Sequence, residues 1–162
     1  MIHIYTDGGC SGNPGPGGWA YVMVPEAGGN GSVAATVLTE QWGAEKETTN
    51  NRMELLAVIS ALKALKAKPV LDQSANDVSS GLKLYTDSQY VQKGITQWIH
   101  KWKRNSWLTS DKKPVKNQDL WMELDTLAAG FSINWVWVKG HAGNLYNERC
   151  DALTQTAIAS VK

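Results

Sequence analysis

Met1-Ile2-His3-Ile4-Tyr5-Thr6-Asp7 and Leu82-Lys83-Leu84-Tyr85-Thr86-Asp87 are two short apolar runs that each close on the dipeptide Thr-Asp. Both read as strands, and each delivers a carboxylate at its end. After the first comes a Gly/Pro-rich segment, Gly8 to Gly18, and then a second apolar run, Gly18-Trp19-Ala20-Tyr21-Val22-Met23-Val24. Gly28-Gly29-Asn30-Gly31 marks another turn, so a third strand is expected over about 32–44 and the first half reads as an antiparallel meander. From residue 50 to 67 the period becomes helical, with Leu55, Ile59 and Leu62 on one face and Pro69 as the stop. The polar segment 69–81 reads as a loop. Beyond the strand at 82–87, helical patterns are expected from about 88, over Asn117–Ala128 and over Asn144–Ala159, with a strand at Ser132–Val138. Strands in a meander followed by strand–helix units predict an α/β fold, a mixed sheet with helices packed on it.

The whole-chain properties narrow the function classes. At 162 residues, with no internal repeat or linker, the chain is expected to be one domain spanning 1–162. It is 43% hydrophobic and 19% charged, without a signal-like N-terminus or an apolar run of membrane-spanning length. A cytoplasmic location and no membrane partner are therefore expected. Cys10 and Cys150 form no C-x-x-C pair, which argues against zinc, and the expected compartment argues against a disulfide. The net charge of +1 argues against coating nucleic acid by bulk positive charge. Its distribution is uneven: Lys93, Lys101, Lys103, Arg104, Lys112, Lys113 and Lys116 face the single acid Asp111 within 93–116. A basic segment in an otherwise acidic chain suits a polyanion that must approach carboxylates.

Four acids stand in patterned surroundings: Asp7, Glu54, Asp87 and Asp151. Carboxylates brought from distant points by strands and helices are what a hard divalent cation requires. Each also has a plain structural reading. Glu54 shares a helix stripe with Ala57, Val58 and Ala61, and a first-turn glutamate favoured by the helix dipole fits equally well. Asp87 before Ser88-Gln89 reads as an N-cap, as does Asn50 or Asn51 for the preceding helix. Asp151 opens what reads as a short C-terminal helix, where a surface acid paired with Arg149 or Lys139 would serve. His141, between Gly140 and Gly143, is either a mobile proton carrier or a solvated loop histidine. The glycine run 8–18 lacks the Lys-Ser/Thr ending of a phosphate loop and reads as turn chemistry. Trp135 and Trp137 read as sheet residues. Trp98, Trp102 and Trp107 interleave with the basic residues, open to stacking on bases or to anchoring short helices.

As a set, the motifs resemble type 1 ribonuclease H of the bacterial kind. The resemblance rests on T-D-G-G-C-S-G-N-P-G-P-G-G at 6–18, T-T-N-N-R-M-E-L at 48–55, T-D-S-Q-Y-V at 86–91 and G-I-T-Q-W-I-H-K-W at 94–102. D-K-K-P-V-K-N-Q-D-L-W at 111–121, W-V-K-G-H-A-G at 137–143 and N-E-R-C-D at 147–151 extend it over nearly the whole chain. It implies a ribonuclease H-like fold: a five-stranded mixed sheet, a three-strand antiparallel meander plus two parallel strands, with helices on both faces. It gives Asp7, Glu54, Asp87 and Asp151 a metal-binding catalytic role, His141 a proton-transfer or product-release role, and Glu148 an auxiliary one. Asn13, Asn50, Asn51 and Gln89 match minor-groove readers, with Asn13 and Thr49 near a DNA-phosphate site. Trp98, Lys101, Lys103 and Arg104 match a handle on the DNA strand. Gly9 stands where a serine is common, Thr154 replaces a usual alanine, and the loop at 69–81 is longer than in short members.

The implied activity is endonucleolytic hydrolysis of the RNA strand of an RNA/DNA hybrid, leaving 5′-phosphate and 3′-hydroxyl ends. Two Mg²⁺ ions about 3.5–4 Å apart suit that chemistry, with Mn²⁺ as a substitute. A monomer with no obligatory protein partner is expected. Two other classes remain: a related-fold DNA nuclease of the integrase or junction-resolvase type, and a non-catalytic hybrid-binding module. The asparagine readers argue against the first and the presence of all four acids against the second.

Overall fold

The computed structural model describes residues 1–25, 39–67, 81–139 and 144–162. Strands β1 (Ile2–Cys10), β2 (Gly15–Pro25) and β3 (Thr39–Thr48) precede helix α1 (Asn50–Ala67), strand β4 (Leu82–Thr86) and helix α2 (Gln89–Lys93). A π-helical turn, Gly94–Trp98, leads into α3 (Ile99–Arg104); α4 (Gln118–Ala128), β5 (Ile133–Trp137) and α5 (Leu145–Ser160) complete the chain. The sheet order is β3-β2-β1-β4-β5. β1–β2 and β2–β3 pair antiparallel, β1–β4 and β4–β5 parallel. The mixed sheet is thus the meander plus two parallel strands expected from the sequence, with β1 central.

Strand alternation explains why both faces are covered. Ile2, Ile4, Leu82 and Leu84 point to one side, where they pack with Leu55, Val58, Ile59 and Leu62 of α1 and Leu120, Trp121 and Leu124 of α4. Tyr5, Ala20, Val22 and Val24 point to the other, where they meet Cys150 with Tyr146 and Leu153 of α5. A slip of one residue in β1 or β4 would exchange these two sets. Each fully buried Ile or Leu contributes roughly 1.5–3 kcal/mol, so the register is firmly held.

Several elements differ from the sequence reading. The third strand, expected over about 32–44, runs on to Thr48; residues 26–38, with the Gly28–Gly31 turn, lie outside the described residues. Most of the glycine run is strand, not turn: Gly8 and Gly9 belong to β1, Gly15 to Gly18 to β2, and the connection is only residues 11–14. Thr49, not an asparagine, caps α1, its Oγ1 accepting from the Arg52 amide at 3.3 Å. Asp151 does not open a helix but lies midway along α5, whose N-cap is Asn144. Arg149 pairs with Glu40 of β3 at 2.6 Å rather than with Asp151. Cys10 and Cys150 are free thiols. Within the described residues no helix is long and apolar enough to cross a membrane.

Candidate active site

Asp7 and Asp87 come together through the parallel pairing of β1 with β4. Tyr5 stands opposite Tyr85 in that register, so two residues further on the two Thr-Asp dipeptides are level. The Thr6 hydroxyl donates to the Tyr85 carbonyl at 3.0 Å, tying the strand ends. Asp87 is not the cap of α2; Ser88 is, its Oγ accepting from the Val91 amide at 3.1 Å. The Ser88 amide in turn donates to Thr86 Oγ1 at 3.0 Å, and the Trp137 indole donates to the Asp87 carbonyl at 3.0 Å. With capping assigned to Ser88 and the main chain held at these points, the Asp87 carboxylate is committed to the site instead.

Glu54 arrives from α1. Gly8 makes this possible: a Cβ there would lie 2.5 Å from the Glu54 nitrogen and 2.7 Å from the Met53 carbonyl oxygen. Only a residue without a side chain lets the first turns of α1 rest directly on β1. The Glu54 stripe of Ala57, Val58 and Ala61 is fully buried, so the helix cannot turn its acid outward.

One carboxylate oxygen from each of Asp7, Glu54 and Asp87 lies within 4.8 Å of the other two. Glu54 Oε2 is buried and finds no hydrogen-bond partner among the described residues. Burial, then the charge of Asp87, pushes the Asp7 carboxyl up to about 7; the Thr154 hydroxyl partly offsets this, and Asp151 adds to it. Burial and the charges of Asp7 and Asp87 likewise hold Glu54 well above the usual carboxylate range. Three acids so placed cannot all ionise without a counter-charge. A buried carboxylate oxygen lacking a donor is costly unless a cation meets it. All-oxygen, anionic donors match Mg²⁺ or another hard divalent ion. The residues present therefore fit a divalent metal.

Asp151 is outside the group of three, yet close enough for its charge to bear on Asp7. Glu148 is exposed on the first turn of α5. His141 lies outside the described residues. Thr154 is a participant the sequence reading noted but gave no role. It falls on the buried α5 stripe with Cys150 and Ala157, three residues beyond Asp151, a spacing that could have flagged it.

Beside the acids, the β1–β2 connection and the start of α1 are joined. The Cys10 amide donates to Asn50 Oδ1 at 2.8 Å and the Asn50 amide to Asn13 Oδ1 at 3.2 Å. Asn51 follows, half-buried, and Thr49 is engaged as the cap. Gln89 is exposed at the first position of α2. Of the three tryptophans in the basic segment, Trp102 and Trp107 pack against the core, whereas Trp98 is 38% exposed. Trp98 closes the π-helical turn whose first residue, Gly94, sits against the Trp121 ring with no room for a Cβ. Lys101, Lys103 and Arg104 are exposed on α3, with Lys103 reaching Asp125 at 3.4 Å.

A five-stranded mixed sheet with acids level on its two central parallel strands defines the ribonuclease H-like fold. The family model for RNase H matches residues 1–159. A ribonuclease H of Treponema denticola is 55% identical over 159 residues, covering 96% of each chain. The chain belongs to the ribonuclease H family, a family of endonucleases. Among solved structures it is similar to LC9-RNase H1, a type 1 enzyme with the type 2 active-site motif (32% identity, TM-score 0.79, 99% of this chain and 73% of that one). LC11-RNase H1, solved in complex with an RNA/DNA hybrid, shares the fold at 24% identity (TM-score 0.69, 99% and 98% covered).

Proposed function

We propose that this chain is a single-domain, monomeric, cytoplasmic endonuclease that hydrolyses the RNA strand of RNA/DNA hybrids with Mg²⁺, leaving 5′-phosphate and 3′-hydroxyl ends. The observation that carries this reading, within a ribonuclease H family chain, is the cluster of Asp7, Glu54 and Asp87, in which Glu54 Oε2 is buried without a hydrogen-bond partner among the described residues. These three would hold the metal, with Asp151 at the rim; two Mg²⁺ ions are the expected complement and Mn²⁺ the expected substitute. When bound, the metal supplies Lewis acidity to the scissile phosphodiester.

The remaining residues bind and orient. Asn13, Asn50, Asn51 and Gln89 present amide donors and acceptors to the minor groove, where the 2′-hydroxyl marks the RNA strand. Thr49 and Asn13 stand near a phosphate of the DNA strand. Trp98, Lys101, Lys103 and Arg104 hold that strand and make binding salt-dependent. His141 moves a proton or releases product, and Glu148 assists beside the outer acid.

The test uses end-labelled RNA/DNA hybrid, duplex DNA, duplex RNA and single strands with Mg²⁺, Mn²⁺ or EDTA. Cleavage confined to the RNA of the hybrid and blocked by EDTA is expected. Cleavage of duplex DNA would instead indicate an integrase- or resolvase-type nuclease, and binding without cleavage a hybrid-binding module; either overturns the proposal.

A further inference from the structure

The Tyr90 hydroxyl stands at the crossing of a polar relay and an aromatic cluster. It accepts from Trp121 Nε1 at 2.8 Å and from Asn117 Nδ2 at 3.1 Å. Asn117 Oδ1 accepts from Arg52 Nη1 at 3.2 Å, and Arg52 forks onto both Asp119 oxygens at 2.9 and 3.1 Å. Asn117 holds a left-handed backbone, φ 59°, and its side chain caps nothing on α4, which leaves it wholly to this relay. The Tyr90 ring meets Trp98 at 6.0 Å and the fully buried Trp121 at 5.3 Å, both near 60°. Trp102 closes the cluster against Trp98 and Trp121.

Each arm ends beside a residue assigned to the substrate. Arg52 directly follows Asn50 and Asn51, Tyr90 directly follows Gln89, and Trp98 lies against the Tyr90 ring. The start of α4 is thus tied to the Tyr90 hydroxyl directly, the start of α1 through Asn117, and the exposed tryptophan to the Tyr90 ring. We propose that Tyr90 is a positioning residue that sets the spacing between the minor-groove readers and the DNA-strand handle, so that a duplex of hybrid width engages both together. Duplex RNA and duplex DNA differ from the hybrid and from each other in groove width, and a rigid spacing discriminates where a loose one would not. This inference rests on the proposed function, and coupling between the two sides of the network is its measurable signature.

Tyr90→Phe keeps the ring and deletes the acceptor, leaving Trp121 Nε1 and Asn117 Nδ2 to find other partners. Steady-state cleavage of a hybrid is measured first for the wild type; if it cleaves no hybrid, the proposed function has failed, not the relay. Given wild-type cleavage, Tyr90→Phe should raise KM about five- to tenfold with kcat within about twofold and the Mg²⁺ midpoint unchanged. In a double-mutant cycle, Trp98→Ala should weaken hybrid affinity less in the Tyr90→Phe background than in the wild type. A lowered melting temperature with unchanged KM, or effects of Tyr90→Phe and Trp98→Ala that simply add, would overturn the relay. If Tyr90→Phe does not fold, Arg52→Lys, which keeps the charge but loses the fork, is read by the same KM and cycle criteria.

Discussion

The charge buried at the metal site has a stability consequence that Asp7→Asn exposes. In the metal-free protein, burial and the charge of Asp87 raise the Asp7 carboxyl from the usual 3.8 to about 7. An acid raised by folding has lost nothing below about pH 4, where it is protonated folded or unfolded. Its destabilising contribution grows as pH rises and is complete above about pH 7. Each tenfold change in proton affinity corresponds to about 1.4 kcal/mol, so the full effect is about 4 kcal/mol. Because Asp87, Asp151 and Glu54 share the repulsion, about 2–4 kcal/mol is the fair range for removing one charge. Asparagine keeps the shape and can still accept from Gly8 and Thr154. Asp7→Asn should therefore stabilise the metal-free protein by about 2–4 kcal/mol at pH 8 and by almost nothing at pH 4. For a chain of this size that is a rise of roughly 4–16 °C in melting temperature at pH 8. Urea unfolding in EDTA at both pH values gives the two differences directly. Saturating Mg²⁺ should close the gap by stabilising the wild type and not the variant. Equal effects at pH 4 and pH 8, or a loss of stability at pH 8, would refute the argument that burial and the neighbouring acids raise the Asp7 carboxyl in the fold.

Asp87→Asn should abolish hybrid cleavage while hybrid binding, followed by fluorescence anisotropy, survives; retained turnover would remove Asp87 from the metal set. His141→Ala should slow turnover by a much smaller factor than Asp7→Asn, and an equal loss in single-turnover assays would contradict an auxiliary role. Gly8→Ala should lower stability by about 1–3 kcal/mol through overpacking against Met53 and Glu54. It should also blunt the Mg²⁺-induced rise in melting temperature, because α1 and its acid are pushed off β1; an undiminished Mg²⁺ response would show that Glu54 tolerates the shift.

The site was legible where the chemistry is repeated locally. Two runs ending on Thr-Asp read as strands that each deliver an acid, and the helical period over 50–67 matched α1 at both ends. The parallel register that makes the acids level is set by the pairing of β1 with β4, which the repeat alone does not state. Asp87 was ambiguous because an acid just before a helix is a good cap; the Ser88 hydroxyl takes that role through the Val91 amide, and the Trp137 indole, distant in sequence, holds the Asp87 carbonyl. Gly8 looked like turn chemistry because glycine in a turn and glycine beneath a helix read alike until the helix is placed. The helix expected over Asn144–Ala159 matched α5, and its extent is what places Asp151 in the helix interior rather than at a start. The π-helical turn that ends at Trp98 begins where Gly94 meets Trp121, a contact across 27 residues that no local pattern encodes.

The matched Thr-Asp ends of β1 and β4 also act as an internal ruler on how relatives of this chain can change length. Adding or deleting one residue within either strand, upstream of its acid, would carry that carboxylate to the opposite face of the sheet. The same change between elements leaves both acids level. Insertions acquired by descent, or introduced by engineering, should therefore accumulate in the connections and be excluded from Ile2 to Asp7 and from Leu82 to Asp87.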